Sequence, residues 1–246
     1  MSNLLEVNHL SKTFKRFKLD DISFSLQPGK ICGFVGINGA GKSTTIKLIS
    51  RLLIPDNGQV LFNDKEVSEI ESFERIGFVP DTCKLYETYT VDKAKKFISG
   101  FYKQWDEDEY NKYKEIFKLN GKKKIGELSK GMKMQFSLAL ALSHHAELLI
   151  MDEPTSGLDP YIRNQVLNIL KDYISDGKKS VLFSTHLTSD LERVADQIVF
   201  IHAGKIIFSE EVTKLPDISK NILNKEWDSL DSFIIDYIDY LSKKGA

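Results

Sequence analysis

The stretch KICGFVGINGAGKS, residues 30–43, decides the fold. Its first half, Lys30 to Gly36, is an apolar run after the turn signal Pro28-Gly29 and predicts a buried strand. Its second half, residues 36–43, matches the phosphate-binding pattern G-x-x-x-x-G-K-[ST]. A helix is predicted to follow, from Lys42 to Leu53. A strand, a glycine-rich loop and a helix in this order predict a loop that wraps around phosphate groups.

Each residue type in the loop suits phosphate binding. Glycines let the backbone turn tightly, so that several N–H groups and the positive end of the helix converge on one anion. Lys42 can reach the β- and γ-phosphates of a nucleotide, and the Ser43 hydroxyl can ligand Mg²⁺. The predicted phosphate-binding residues are Gly36, Asn38, Gly39, Ala40, Gly41, Lys42, Ser43 and Thr44.

Composition restricts the classes of protein to be considered. The 246 residues carry a net charge of -1, which does not favour a nucleic-acid partner. The polar residues near the N-terminus lead us to expect no signal peptide, and no run of residues is apolar for long enough to cross a bilayer. Two distant cysteines, Cys32 and Cys83, fit a reduced environment, with Cys32 in the core. We therefore expect a protein that acts from the aqueous phase.

Strands and helices alternate over most of the chain. Buried strands are predicted at Glu147 to Asp152 and Ser180 to Thr185, and a hairpin near Ala203-Gly204. This alternation predicts an α/β fold with a mainly parallel sheet. From about Thr90 to Leu142 the pattern is almost entirely helical, which predicts a helical insertion.

Two carboxylates mark the end of the predicted strand ELLIMD, one on its last residue and one on the next. Asp152 is placed to hold Mg²⁺, and Glu153 to polarise a water molecule against the γ-phosphate. His186 follows the next strand and is expected at the same edge of the sheet, because parallel strands present their carboxyl ends together. These residues form the predicted catalytic group.

Four peptides together resemble the ATP-binding-cassette (ABC) ATPases. Met151 to Asp159 (MDEPTSGLD) is similar to the Walker B motif and the loop after it, and Leu128 to Met132 (LSKGM) to the signature peptide. His186 resembles the switch histidine, and Phe14 the aromatic residue that stacks on adenine. The resemblance covers about residues 4–215.

The resemblance implies a fold and its subdivision. It implies a P-loop NTPase (RecA-like) core with an N-terminal antiparallel β portion and an inserted helical subdomain. The whole chain, 1–246, would be a single domain. Its core lobe would span about 1–82 and 147–215, its helical subdomain about 83–146, and its C-terminal helical tail about 216–246.

The resemblance also implies cofactors and partners. ATP and Mg²⁺ would bind between two subunits, in a homodimer or heterodimer, with Ser129 and Gly131 of one subunit facing the ATP of the other. Asp159 would lie near the same nucleotide. A separate transmembrane permease would complete a transporter, export being favoured over import. The chain would be cytoplasmic and peripheral on the inner face of the cell membrane.

The sequence departs from the family at two peptides. The loop after Ile76 to Val79 usually carries a glutamine that touches Mg²⁺ and water, and this chain has Asp81 there, which we expect to take its place as a metal ligand and catalytic residue. In the signature peptide Lys130 replaces a glycine and Met132 a glutamine. Phe17 competes with Phe14 for the adenine, and Phe14 fits the spacing better.

Two other classes compete with a transporter subunit. The first is a soluble ABC ATPase of ribosome, DNA or cofactor-assembly work. Ribosome types generally carry two cassettes in one chain and DNA-repair types a long coiled coil, and this sequence shows neither feature. A P-loop kinase or regulatory GTPase gives no reason for the signature peptide at residues 128–132.

Overall fold

Two β-sheets and a set of helices make up the fold seen in a computed structural model, which describes residues 2–67 and 73–244. The larger sheet has the strand order β10-β9-β3-β8-β7-β6. Its strands are β3 (Ile31–Val35), β6 (Ile76–Val79), β7 (Leu148–Asp152), β8 (Ser180–Thr185), β9 (Gln197–His202) and β10 (Lys205–Glu211). All neighbours are parallel except the β9–β10 hairpin. The mainly parallel sheet and the hairpin are thus confirmed.

The smaller sheet is antiparallel and covers one face of the larger one. Its order is β2-β1-β4-β5, with β1 at Leu5–Thr13, β2 at Lys18–Leu26, β4 at Asn57–Phe62 and β5 at Lys65–Glu66. A backbone hydrogen bond from Asp20 N to Gly204 O joins it to the β9–β10 turn. This is the N-terminal antiparallel β portion that the resemblance implied.

Side chains of the central strands alternate between two cores, because successive residues of a strand point to opposite faces. Phe34 and Ile150 pack with the small sheet and the helix Lys42–Ile49, whereas Val35 and Met151 pack with the other helices. Cys32 is fully buried in the first core, as predicted. The large sheet is therefore the middle of three layers.

The helices flank this sheet. They are α1 (Lys42–Ile49), α2 (Val91–Ser99), α3 (Glu107–Ile116), α4 (Lys130–Leu142), α5 (Pro160–Tyr173), α6 (Thr188–Val194), α7 (Leu215–Ile218) and α8 (Leu230–Lys244). The prediction that α1 runs to Leu53 was wrong, since the helix ends at Ile49. Arg51 adopts a left-handed conformation (φ 56°) and Leu52 is exposed, so the chain turns away before the next turn of helix forms.

The helical insertion consists of α2, α3 and α4, with no strand in the described residues between β6 and β7 apart from a single bridge between Thr90 and Lys124. It packs on the face of the sheet opposite α1. Within residues 2–67 and 73–244, no helix has the length and apolar character needed to cross a membrane.

The C-terminal segment folds back onto the core. Phe208 of β10 contacts the rings of Phe233 and Tyr237 on α8, with centroids 5.6 and 5.5 Å away. At the start of α8, the Leu230 N–H donates to Glu192 Oε1 of α6 at 2.5 Å. The tail is therefore attached to the helix that follows His186.

Candidate nucleotide-binding site

The loops that follow β3, β6, β7 and β8 lie at one edge of the large sheet, because these four strands are parallel neighbours. The loop after β3 carries the phosphate-binding pattern, and Asp81 follows β6. Glu153 follows β7 directly, and His186 follows β8. The structure thus brings together at one edge the residues that sequence reasoning selected from four separate peptides.

The phosphate-binding loop has the backbone its glycines allow. Gly39 and Gly41 both have left-handed φ angles, 81° and 118°, and α1 begins directly after Gly41. A Cβ on Gly36 would overlap the carbonyl oxygen of Ile201, so this position admits no side chain. Gly36, Asn38 and Ala40 are therefore held in a turn that leads into the positive end of α1.

The Lys42 side chain lies inside this loop. Its Nζ donates to the carbonyl oxygen of Gly36 at 2.7 Å and lies 4.0 Å from Glu153 Oε1. Burial lowers the pKa of the Lys42 ammonium, and the negative charges of Glu153 and Asp152 oppose that shift. Its only direct hydrogen-bond partners in the described residues are carbonyl oxygens of the loop, so this cation is suited to bind the terminal phosphates of a nucleotide.

A chain of three oxygen-bearing side chains runs beside Lys42. The Ser43 hydroxyl donates to Asp152 Oδ1 at 3.2 Å, and the Ser184 hydroxyl donates to the same oxygen at 2.6 Å. No group of three or more His, Cys, Asp or Glu residues in the described part of the chain could hold a metal ion by itself. Magnesium is usually held by one or two carboxylates, water and the phosphates of a nucleotide, so Ser43 and Asp152 fit it.

Glu153 and His186 form a hydrogen-bonded pair. His186 Nδ1 lies 2.7 Å from Glu153 Oε2, and the Glu153 N–H donates to the Ser184 carbonyl oxygen at 2.9 Å. Glu153 is 16% exposed and has a left-handed φ of 51°, which is uncommon for a residue with a side chain. The carboxylate is thereby fixed close to Lys42 and the phosphate loop, where it can activate a water molecule.

A cavity of about 650 Å³ opens in front of the phosphate loop. Its lining includes Gly39, Lys42, Thr44 and Glu153, and also Phe17. Phe14 is exposed, does not line the cavity and lies 6.3 Å from Phe17 between ring centroids. Geometry thus favours Phe17 for the adenine, and stacking on Phe14 stays a prediction.

The predicted metal ligand Asp81 has another partner. Its Oδ1 lies 2.8 Å from Lys130 Nζ, in an ion pair within one subunit. Asp81 also borders a second cavity, of about 740 Å³, together with Ser43 and Asp152. The structure therefore places Asp81 beside Ser43 and Asp152 but engages its carboxylate with the signature peptide.

The signature peptide leads into the start of α4. Ser129 caps this helix by accepting a hydrogen bond from the Met132 N–H at 3.2 Å, and Ser129 and Lys130 are exposed. Gly131 follows in the first turn, where a Cβ would approach Leu158 to 3.1 Å. Asp159 caps α5 through the N–H groups of its first turn, so its place at the nucleotide stays a prediction.

Two residues at the site were not selected from the sequence. Ser184 is fully buried next to Asp152, and Arg16 lines the nucleotide cavity beside Phe17. Ser184 could have been found from the sequence, because a serine inside the apolar run SVLFST needs a hydrogen-bond partner. Arg16 lies in the turn between β1 and β2 and carries no comparable signal.

Comparison with known proteins decides the family. The family model described as "ABC transporter" matches residues 19–156. The chain belongs to the ABC transporter family. It is an ATP-binding subunit of this family and an ATPase.

Relatives of the ABC transporter subunit include three proteins of bacilli. The linearmycin resistance ATP-binding protein LnrL of Bacillus subtilis is 34% identical over 83% of this chain and 68% of its own length. The bacitracin transport ATP-binding protein BcrA of Bacillus licheniformis is 31% identical over 84% and 69%. The ABC transporter ATP-binding protein YtrB of Bacillus subtilis is 30% identical over 82% and 70%. These names favour a transporter subunit over the soluble alternative.

Solved structures confirm the fold. An ATP-binding subunit of an ABC transporter matches with a TM-score of 0.84 and 28% identity, over 96% of this chain and 99% of that one. A nucleotide-free ATP-binding cassette matches with a TM-score of 0.75 and 25% identity, over 96% and 99%. The α/β core with an inserted helical subdomain is therefore the ABC cassette fold.

Proposed function

We propose that this ABC subunit binds MgATP between two copies of the cassette and drives export through a separate permease. The observation that carries the proposal is the convergence of Lys42, Glu153 and His186 beside the Ser43–Asp152 pair. One side of this group offers cationic and N–H donors to phosphate. The other side offers a carboxylate for the attacking water.

Hydrolysis requires a water molecule in line with the bond to the leaving ADP. The Glu153 carboxylate accepts a hydrogen bond from this water and so raises its nucleophilicity. Lys42 balances the negative charge of the terminal phosphate, and Mg²⁺, held by Ser43 and Asp152, would neutralise charge between the β- and γ-phosphates when bound. The expectations that Asp81 is a metal ligand and catalytic residue, and that Asp159 lies near the nucleotide, stay predictions, and the step above does not depend on them.

His186 has two possible roles in this step. A neutral imidazole carries one N–H, and Nδ1 needs it to donate to Glu153. The ring then fixes the carboxylate, and its Nε2 can only accept. Donation from Nε2 to the γ-phosphate requires the imidazolium form or release of Glu153, so His186 can respond to whether a phosphate is present.

A dimer explains the exposed start of α4. Ser129 and the N–H groups after it present donors and the positive end of a helix to solvent. The chain's own phosphate loop lies at the start of a different helix, α1. We propose that the nucleotide facing Ser129 and Gly131 belongs to a second subunit, in a homodimer or a heterodimer.

The proposed permease makes contact beside the Asp81 loop. A groove of about 260 Å³ lies between this loop and the helical insertion, lined by Pro80, Leu85, Ile98 and Tyr102 among others. Exposed aromatic rings, such as that of Phe101, lie nearby on the insertion. A segment of the permease that binds this groove would place the transporter subunit at the inner face of the membrane. The names of LnrL and BcrA support export.

The Glu153→Gln variant tests the proposal. Glutamine keeps the size of the side chain but cannot act as a base, so we expect ATP to bind and hydrolysis to fall by at least about a hundredfold. Light scattering after gel filtration should show a dimer in ATP and a monomer without it. The exposed Glu115→Gln on α3 serves as the matched control and should hydrolyse ATP normally. Normal turnover by Glu153→Gln removes Glu153 from the mechanism, and failure to retain ATP contradicts the proposed function.

A further inference from the structure

The two departures from the family pattern meet in one ion pair. Asp81 occupies the place of the usual glutamine and Lys130 the place of a signature glycine, and Asp81 Oδ1 lies 2.8 Å from Lys130 Nζ. The side chains are 43% and 52% exposed, so neither is locked in the interior. The pair connects the loop after β6 with the first residue of α4, that is, the sheet with the helical insertion.

Lys130 is also placed beside the sites of phosphate binding. It lies between Ser129 and Gly131 at the start of α4, and its Cδ lies close to Gly157 in the loop that precedes Asp159. A phosphate oxygen held by Ser129 and the first N–H groups of α4 would therefore lie within reach of this flexible ammonium. A lysine four carbons long can change partner without movement of the backbone.

We propose that Lys130 exchanges one anionic partner for another during the ATP cycle. In the nucleotide-free subunit it pairs with Asp81 of its own chain. In the closed dimer it binds a γ-phosphate oxygen of the ATP held by the second subunit. This inference rests on the proposed function, because it requires ATP to lie between two copies of the cassette.

The relative strengths of the two contacts favour this exchange. An exposed lysine–carboxylate pair contributes little to stability, so it breaks readily. A triphosphate carries more charge than a carboxylate, and ammonium–phosphate hydrogen bonds are strengthened by charge on both partners. The helix start beneath Lys130 adds N–H donors that a carboxylate at position 81 does not use. Asp81 thus acts as a competitor that must be displaced before the dimer closes.

A fixed bridge is the simplest rival explanation. In that case the pair would persist in the closed dimer. The loss of either partner would then lower both the stability of the folded monomer and the stability of the dimer. A metal-ligand role for Asp81 is a second rival, and it predicts a weaker ATP-bound dimer whichever residue occupies position 130. Competition predicts that removal of the Asp81 carboxylate strengthens the ATP-bound dimer, and that it does so only when Lys130 is present.

A double-mutant cycle separates these explanations. In the Glu153→Gln background with saturating MgATP, the dimer dissociation constant is measured by analytical ultracentrifugation for Asp81→Asn, Lys130→Gln and the two combined. Two copies of the pair break per homodimer, so Asp81→Asn should tighten the dimer by about two- to thirtyfold, given the small free energy of exposed pairs. Lys130→Gln should weaken it about tenfold or more. In the Lys130→Gln background, Asp81→Asn should change the dimer dissociation constant by less than about twofold.

The neighbouring pair of Glu87 and Lys133 supplies the matched control. Its Nζ–Oε1 distance is 3.8 Å, and Lys133 lies one turn further along α4. Glu87→Gln and Lys133→Gln change the same charges in the same region, and each should alter the dimer dissociation constant by less than about threefold. Urea unfolding of all nucleotide-free variants verifies that they fold.

The outcomes distinguish the inference from the proposed function. A tighter dimer for Asp81→Asn only when Lys130 is present supports the exchange. A weaker dimer, or an equal effect in both backgrounds, overturns it while leaving the proposed function in place. If the Glu153→Gln parent forms no dimer with ATP, the proposed function fails and this inference fails with it.

Discussion

His186 Nδ1 lies 2.7 Å from Glu153 Oε2, although the two side chains come from loops after different strands. β7 and β8 are in parallel register, with Asp152 opposite Ser184, so the residues that follow them meet at the sheet edge. The contact holds one oxygen of the carboxylate and leaves Oε1 toward Lys42, 4.0 Å away. Removal of the ring should therefore affect the orientation of the Glu153 carboxylate, the proposed base, before it affects nucleotide binding.

The His186→Ala variant should retain ATP but hydrolyse it slowly. Without the ring, Glu153 can rotate away from the attacking water, and we expect kcat to fall by about a hundred- to ten-thousandfold, the usual contribution of a positioned base. ATP affinity, measured by calorimetry, should change by less than about fivefold. His145→Ala, at an exposed histidine that pairs with Asp106 instead, is the control. Equal turnover by His186→Ala and wild type would contradict the role of this ring.

Ser184→Ala should raise the Mg²⁺ concentration needed for half-maximal turnover. The Ser184 hydroxyl is the closer of two donors to Asp152 Oδ1 and fixes the carboxylate against Ser43. Loss of such a supporting hydrogen bond typically weakens metal binding about ten- to a hundredfold. Ser180→Ala removes a buried hydroxyl at the opposite end of the same strand, where it donates to Gln27 O, and should leave the Mg²⁺ dependence unchanged. An identical Mg²⁺ titration for both variants would show that Ser184 does not support the metal site.

Gly36→Ala and Gly39→Ala should differ in stability. At Gly36 a methyl group would overlap the Ile201 carbonyl oxygen, and the resulting strain should lower the free energy of unfolding by about 3 kcal/mol. At Gly39 nothing lies within 4 Å, and only the left-handed φ of 81° disfavours alanine, by about 1 kcal/mol. Urea unfolding without nucleotide measures both. A loss at Gly39 as large as that at Gly36 would contradict this account of the loop.

Acid should destabilise the fold through His144. Burial lowers the pKa of this histidine to about 4, from an ordinary value of 6.5. Between these pH values the unfolded chain binds a proton that the folded chain does not, so stability is lost as pH falls through this window. From pH 7.5 to pH 5 this group should contribute a loss of about 2 kcal/mol in the free energy of unfolding.

The His144→Phe variant tests this pH dependence. Phenylalanine can keep the stacking on Tyr102, where the ring centroids are 3.9 Å apart, but it cannot be protonated. Urea unfolding at the two pH values should show that the variant loses about 2 kcal/mol less than wild type on acidification. The same loss in both proteins would assign the acid sensitivity to other groups.

Local sequence patterns predicted the elements that carry the phosphate loop and the catalytic pair. The apolar runs of β3, β7 and β8 are short and buried. The glycine-rich loop follows β3 directly, and the polar residues Glu153 and His186 follow β7 and β8. Parallel strands of that kind bring those polar residues to one edge of the sheet. The end of α1 was missed because the helical pattern continues to Leu53, whereas the backbone reverses at Arg51. A hydrophobic pattern cannot show a left-handed residue that is neither glycine nor asparagine.

Local sequence patterns could not predict contacts between residues that are far apart in the sequence. Asp81 and Lys130 are 49 positions apart, and their pairing depends on how the helical insertion docks on the sheet. Phe14 and Phe17 both lie in the turn between β1 and β2, where the backbone N–H of Phe14 donates to the Phe17 carbonyl oxygen at 2.7 Å. Which ring faces the cavity is decided by the conformation of that turn, so spacing along the chain favoured Phe14 whereas the cavity is lined by Phe17.

The left-handed backbone at Glu153 creates a trade-off between thermal stability and ATP turnover at this one position. Glycine or asparagine would adopt this conformation with less strain, yet neither supplies the carboxylate that the proposed reaction requires. A laboratory selection for thermal tolerance alone would therefore enrich inactive proteins changed at this position. Directed evolution of a more thermostable variant therefore requires a screen that also selects for ATP turnover in every round.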